Sequence, residues 1–138
     1  MIKKILLNIF IFQIISSYAS AQTNQQIQIF DINQGKVVKY IQINTDLQQK
    51  VENFLEGITG VYVKYNPIPN KGFMIRIPLE PNIIVRNRWF NDLVDEVILI
   101  FPDQENPYLM VFDDENKPYF LTFKGNTEEF LALLNFKP

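Results

Sequence analysis

The sequence predicts an α+β fold, a mainly antiparallel sheet of about six to eight strands with two helices packed on one face. Three observations carry this. Apolar residues alternate with a period of two through most of the chain. A helical spacing of three and four takes over in only two places, after Asn44 and after Asn126. Short segments rich in Asn, Pro and Gly separate the alternating runs, as turns between strands require.

The chain opens on an export signal. Met1-Ile-Lys-Lys is a positively charged start, Ile5 to Ile15 is an eleven-residue apolar stretch, and Ala19-Ser20-Ala21 is a small-x-small cleavage signal, so cleavage is expected before Gln22. The apolar stretch is interrupted by Asn8 and Gln13 and falls short of the ~20 residues that span a bilayer, so no stable membrane anchor is expected after cleavage. The domain organisation is then 1–21 as a secretory signal peptide and 22–138 as a single α+β domain. That places the protein outside the cytoplasm, either secreted or in the cell envelope, extracellular or periplasmic. Removal of 21 of the 138 residues leaves 117, within the usual size of one domain with one core.

In the mature part, 22–26 is polar and expected to fray. Ile27 to Ile32 and Val37 to Ile43 alternate as strands around the turn Asn33-Gln34-Gly35-Lys36. Asn44 or Thr45 caps a helix whose apolar face is Leu47, Val51, Phe54, Leu55 and Ile58, ended by Gly57 and Gly60. Val61 to Tyr65 reads as a strand leading into a proline loop over 66–72. Phe73 to Ile77 and Ile83 to Asn87 flank a second proline break, which predicts two strands of a hairpin near a sheet edge. Trp89 to Leu93 is expected to make a short helical turn, and Val94 to Phe101, apolar on both faces at its core, a central strand covered on both sides. Tyr108 to Phe112 and Tyr119 to Phe123 pair around the turn at 113–118. A last helix near 127–135 starts with Glu128 and Glu129 at its positive end.

The two ends of the mature chain echo one another. A shift of 82 residues superposes Phe30 on Phe112, Asp31 on Asp113, Asn44 on Asn126, Thr45 on Thr127, Asn53 on Asn135 and Phe54 on Phe136, and brings Asp46 onto Glu128. Each copy reads strand, turn, strand, Asn-Thr cap, helix. Two pseudo-repeated ββα units sharing one sheet would place both helices on one side; independent use of a common helix-start motif predicts the same local structure.

Composition narrows the chemistry. Ser16, Ser17 and Ser20 are the only serines and lie in the export segment, and the chain has no Cys and no His. Ser or Cys nucleophiles with a His base, Cys or His metal sites and disulfides are therefore excluded from the mature chain. No cofactor is implied. Asp113-Asp114-Glu115-Asn116 offers oxygen ligands, but an EF-hand counted from Asp113 needs Gly and Glu where Pro118 and Lys124 stand; an irregular Ca²⁺ site is left open there, and the alternative is a solvated turn.

Charge is segregated along the chain. From Val61 to Arg88 the basic residues Lys64, Lys71, Arg76, Arg86 and Arg88 face Glu80 alone, whereas Trp89 to Glu115 carries eight acids and no base. A net-acidic chain of this kind does not suit general nucleic-acid binding. If 73–77 and 83–87 pair as a hairpin, Arg76, Arg86 and Arg88 lie together beside Trp89 and Phe90, a surface for an anionic partner; pairing of these arginines with neighbouring acids is the competing expectation. Tyr65 and Lys71 extend the candidate surface through the proline loop. The reading is an exported, non-catalytic binding or accessory protein of the bacterial envelope or exterior, whose partner is a protein or an anionic envelope polymer. A small hydrolase using two carboxylates and a self-associating structural protein are the alternatives.

Overall fold

The structure is a computed structural model that describes residues 26–138. The export segment and the polar residues after it, up to 25, lie outside the described residues. The first hairpin joins β1 (Gln26–Asp31) to β2 (Lys36–Gln42). Gly35 makes the turn at φ 69°, a left-handed conformation that costs glycine nothing. Helix α1 (Thr45–Glu56) follows; the Asn44 side chain accepts from the Leu47 N–H at 2.8 Å, and Leu47, Val51, Phe54 and Leu55 are buried. Gly57 closes it, donating to the carbonyls of Asn53 and Phe54. Then come β3 (Ile58–Val61), β4 (Gly72–Arg86), β5 (Asn91–Pro102), β6 (Tyr108–Phe112), β7 (Pro118–Phe123) and helix α2 (Thr127–Leu133).

The seven strands form one sheet in the order β2-β1-β4-β5-β6-β7-β3, with every pair antiparallel. Both helices lie on one face. Ile27, Ile29, Ile75, Ile77, Val97, Leu99, Leu109, Val111 and Leu121 alternate onto that face and share a core with Val51, Phe54, Leu55, Phe130 and Leu134. Phe54 packs edge-on against Phe130, 5.6 Å between ring centres, which seats α2 beside α1. The intervening residues Met74, Ile98, Ile100, Tyr108 and Met110 form a second buried cluster on the opposite face, where Tyr62 and Ile68 of the segment between β3 and β4 pack over them. A central strand apolar on both faces therefore follows from two coverings, helices on one side and a crossover loop on the other.

The internal echo is structural. Asn44 and Asn126 cap α1 and α2 with the same side-chain bond to the third residue on, Leu47 and Glu129 respectively. Gln28 faces Arg76, Arg76 faces Ile98 and Ile98 faces Met110, so an approximate two-fold axis through the Arg76–Ile98 pair carries β1 onto β6 and β4 onto β5. Among the described residues, β3, on the outside of β7, has no counterpart outside β2.

Four sequence expectations are corrected. The segments 73–77 and 83–87 are one strand, β4, in the interior of the sheet, and not a hairpin near an edge. Its prolines are tolerated because pairing with β1 stops at Arg76 and the ladder to β5 shifts register between Pro78 and Ile83, so no ladder bond is asked of the missing N–H groups there. The Gln48 side chain of α1 fills the gap, accepting from the Glu80 N–H at 3.0 Å and donating to the Pro81 carbonyl at 3.2 Å. The Glu80–Pro81 peptide is cis. Trp89 to Leu93 is not helical: Asn87 Oδ1 accepts from the N–H groups of Trp89 and Phe90 in a tight turn, and β5 starts at Asn91. The third strand is Ile58–Val61, earlier than 61–65, because the α1 cap at Gly57 frees Ile58 to join the sheet. Finally, Gln26 belongs to β1.

Asn44→Ala and Asn126→Ala are each expected to lower stability by about 1 kcal/mol in urea unfolding. Gly72→Ala is expected to cost more than either, since φ is 122° and an added Cβ would meet the Phe101 carbonyl oxygen at 2.1 Å.

Candidate binding surface

The two edges of the sheet differ in their protection. An exposed edge strand offers unpaired backbone groups to any other strand, and proteins blunt such edges with bulges and lysines. β2 has both. Its register against β1 slips between Ile29 and Phe30, leaving Val38 without a partner in the ladder, and it carries Lys36 and Lys39. Lys39 is further committed to α2, donating to the carbonyls of Leu134 and Asn135 at 3.1 and 2.7 Å.

β3 also carries a bulge, at Thr59, where its register against β7 slips between Ile58 and Gly60, but it has no lysine within it, and beyond the bulge Gly60 and Val61 pair regularly with Thr122 and Leu121. Gly60 pairs with Thr122, and the Tyr62 N–H donates to the Phe120 carbonyl at 2.8 Å, so the inward backbone groups are those of Gly60 and Tyr62. By antiparallel alternation the backbone groups of Val61 and Val63 point outward. The chain continues from Val61 through 62–64 without a turn or bend. Val61 and Val63 are 53% and 86% exposed at alternate positions along this edge, and Tyr65, at the bend where the loop begins, is 98% exposed.

Three contacts fix this segment. The Tyr62 ring stacks on Tyr108 with centres 3.6 Å apart. Glu105, in the turn between β5 and β6, accepts from the Tyr62 hydroxyl and from Lys64 Nζ, each at 2.8 Å. These bonds hold the Glu105 carboxyl below its usual range, with Lys64 the larger influence. The Tyr108 hydroxyl donates to the Pro67 carbonyl and pins the proline loop to the sheet. Burial pushes that phenol well above its ordinary pKa, so it stays protonated as a donor. Thr59, Tyr62, Asp103, Glu105 and Thr122 line an open polar cleft of about 790 Å³ beside β3.

The structure spreads the sequence-derived site residues over three places. Tyr65 is on the exposed loop after β3, and Lys71 is exposed just before β4. Arg76 is in mid-sheet, paired with Glu96 at 2.8 Å with side chains 11% and 15% exposed. Arg86 and Arg88 are exposed at the far end of β4; the residues opposite Arg76 and Arg86 on β5, Ile98 and Asn91, are seven positions apart, about 23 Å at strand rise. The presumed hairpin that would have gathered the three arginines does not exist. Arg88 lies over the Trp89 ring at 5.8 Å, Phe90 is buried edge-on against Tyr119, and Trp89 is partly buried at the margin of the core. These three, with Asp92, Asp113 and Asp114, border a recess of about 310 Å³.

The carboxylates have structural duties. Asp113 Oδ1 accepts from the N–H groups of Glu115 and Lys117 and its Oδ2 from the Tyr119 hydroxyl, which lowers its pKa and builds the β6–β7 turn. Among the described residues no group of three or more metal-ligating side chains converges. Glu96 is the one described carboxyl pushed upward, by burial against the opposing pull of Arg76, and its close partner is that arginine and not a second acid across a cleft. Sequence reading missed Val61 and Val63. Their alternation with Tyr65 was visible, but their edge position depends on β3 pairing with β7, more than fifty residues away in the chain.

Glu96→Ala is expected to cost about 3–5 kcal/mol in urea unfolding, since it leaves a buried guanidinium without its carboxylate. Because folding raises the Glu96 pKa, its contribution is greatest with the carboxyl protonated and declines as pH rises. The stability of wild type relative to Glu96→Gln should therefore increase from about pH 7 to about pH 4. Tyr108→Phe should release the Pro67 carbonyl, lowering stability by about 1 kcal/mol and making 62–71 the first site cut in limited proteolysis.

No protein-family model, no curated protein and no solved structure matches this chain.

Proposed function

We propose that this is a non-catalytic, exported binding protein that takes an extended segment of a protein partner as an added strand on the β3 edge. The carrying observation is Val61 and Val63, exposed on alternate residues of an edge with outward backbone groups, with Tyr65 exposed at the bend that follows. Strand addition draws affinity from the main chain and selectivity from alternate side chains, and this edge supplies both. The Tyr62–Tyr108 stack, the Glu105 clamp and the Pro67 anchor support the reading further. They hold the segment in place before binding, so less conformational entropy is lost when a partner docks. Partner recognition by Tyr65 belongs to this surface; Arg76, Arg86, Arg88, Trp89 and Phe90 do not share it.

Selection from a displayed random-peptide library against the protein purified after export tests the proposal. The expected result is enrichment of peptides alternating β-branched or aromatic residues with polar ones. Val63→Lys should weaken them by about tenfold or more, a loss of roughly 1.4 kcal/mol, and Val38→Lys on β2 should leave them unchanged. Enriched peptides indifferent to Val63, or no enrichment at all, would count against strand addition at β3.

A further inference from the structure

The β3 edge is also complementary to itself. We infer that its occupant is a second copy of this chain, joined across a two-fold axis by antiparallel pairing of the segment 60–64 so that two seven-stranded sheets become one continuous sheet. This rests on the strand-addition reading and names the partner.

The register follows from which backbone groups point outward. Val61 and Val63 do, so each must sit opposite an outward-pointing residue of the other copy, and a two-fold centred on Tyr62 opposes Val61 to Val63 and Val63 to Val61. On the helix face of the joined sheet the pairs are then valine with valine; Thr59 is the bulged residue, its hydroxyl turned to Thr122 on the other face, and Tyr65 lies at a bend, so the pairing ends at Gly60 and Lys64. On the other face Lys64 falls opposite Gly60, which has no side chain to obstruct it, and Tyr62 opposite Tyr62. No like charges meet. Lys64 is the only charged residue within 60–64, and Glu105 of its own chain neutralises it at 2.8 Å. Val61 and Val63, 53% and 86% exposed in the single chain, are the side chains such pairing would cover.

Association should stop at two. A head-to-tail array would need β3 of one copy to pair with β2 of the next, and the register slip at Val38 with Lys36 and Lys39 blunts that edge. An interface of one edge strand and its flanking loop is at the small end of the range for specific complexes, so the dimer should depend on concentration.

Sedimentation equilibrium of the exported protein, up to about 1 mM, is the first arm of the test. The apparent mass should rise towards twice the monomer mass, and Val63→Lys should hold it at the monomer value at least tenfold higher in concentration. Val38→Lys should behave as wild type. The second arm uses the absence of native cysteine. In the proposed register a Val61→Cys/Val63→Cys variant has opposing Cα atoms about 5.5 Å apart, within disulfide reach, and mild oxidation should give a covalent dimer, while Val38→Cys should not. Val63 is 86% exposed, so these variants should keep the wild-type unfolding midpoint, measured alongside. A wild type that stays monomeric, or a dimer that survives Val63→Lys and gives no cross-link, overturns the inference. If the protein is monomeric yet captures Val63-dependent peptides, self-association is wrong and strand addition stands; if it does neither, both fall.

Discussion

The β4–β5 ladder sets the geometry of the whole sheet. It runs from Gly72 opposite Pro102 to Arg86 opposite Asn91, and β1 and β6 build outward from its two sides. Its middle is buried on both faces, by Ile75, Ile77, Val97 and Leu99 under the helices and by Met74, Ile98 and Ile100 on the other side. A strand pair covered twice can slip by one residue only by exchanging its two sets of side chains, so its register is strongly fixed. The outer strands inherit that register in series, ending with β2 on one side and β3 on the other.

That inheritance explains why the two coverings differ. Both ββα units place their helices on one face because the two-fold relating them runs through the ladder, perpendicular to the sheet. The other face is left to the segment between β3 and β4, which must travel from the outermost strand to the centre and crosses over Tyr108 on the way. The Tyr108 bond to the Pro67 carbonyl and the Tyr62 stack therefore serve two ends. They close the second core and fix the direction in which the chain leaves β3, and so the presentation of Val61, Val63 and Tyr65.

Local signals in the sequence were legible where the chemistry is local. The Asn44 and Asn126 caps, the Gly35 turn, the central strand at 97–101 and the repeated ββα pattern all depend on residues within a few positions of one another, and all are present. The continuity of β4 was not legible. Two prolines normally end a strand, and what carries the strand past them is a side chain from α1, Gln48, about thirty residues away. The arginine cluster failed with the hairpin it depended on. Arg76 instead neutralises Glu96 on the neighbouring strand, the outcome that segregated blocks of opposite charge produce when they pair across a sheet. The exposed valines gained significance only when β3 proved to be the outermost strand.

Amide hydrogen exchange resolved to single residues is the most direct measurement of whether the β3 edge is used. Among the described residues no strand pairs with the outward N–H groups of Val61 and Val63, whereas the Tyr62 N–H is bonded to Phe120. As protein concentration rises, exchange is expected to slow at Val61 and Val63 while Tyr62 and the amides of β2 stay as they were. Equal exchange at Val61 and Val63 across all concentrations, or protection that appears at β2 instead, would contradict pairing at the β3 edge.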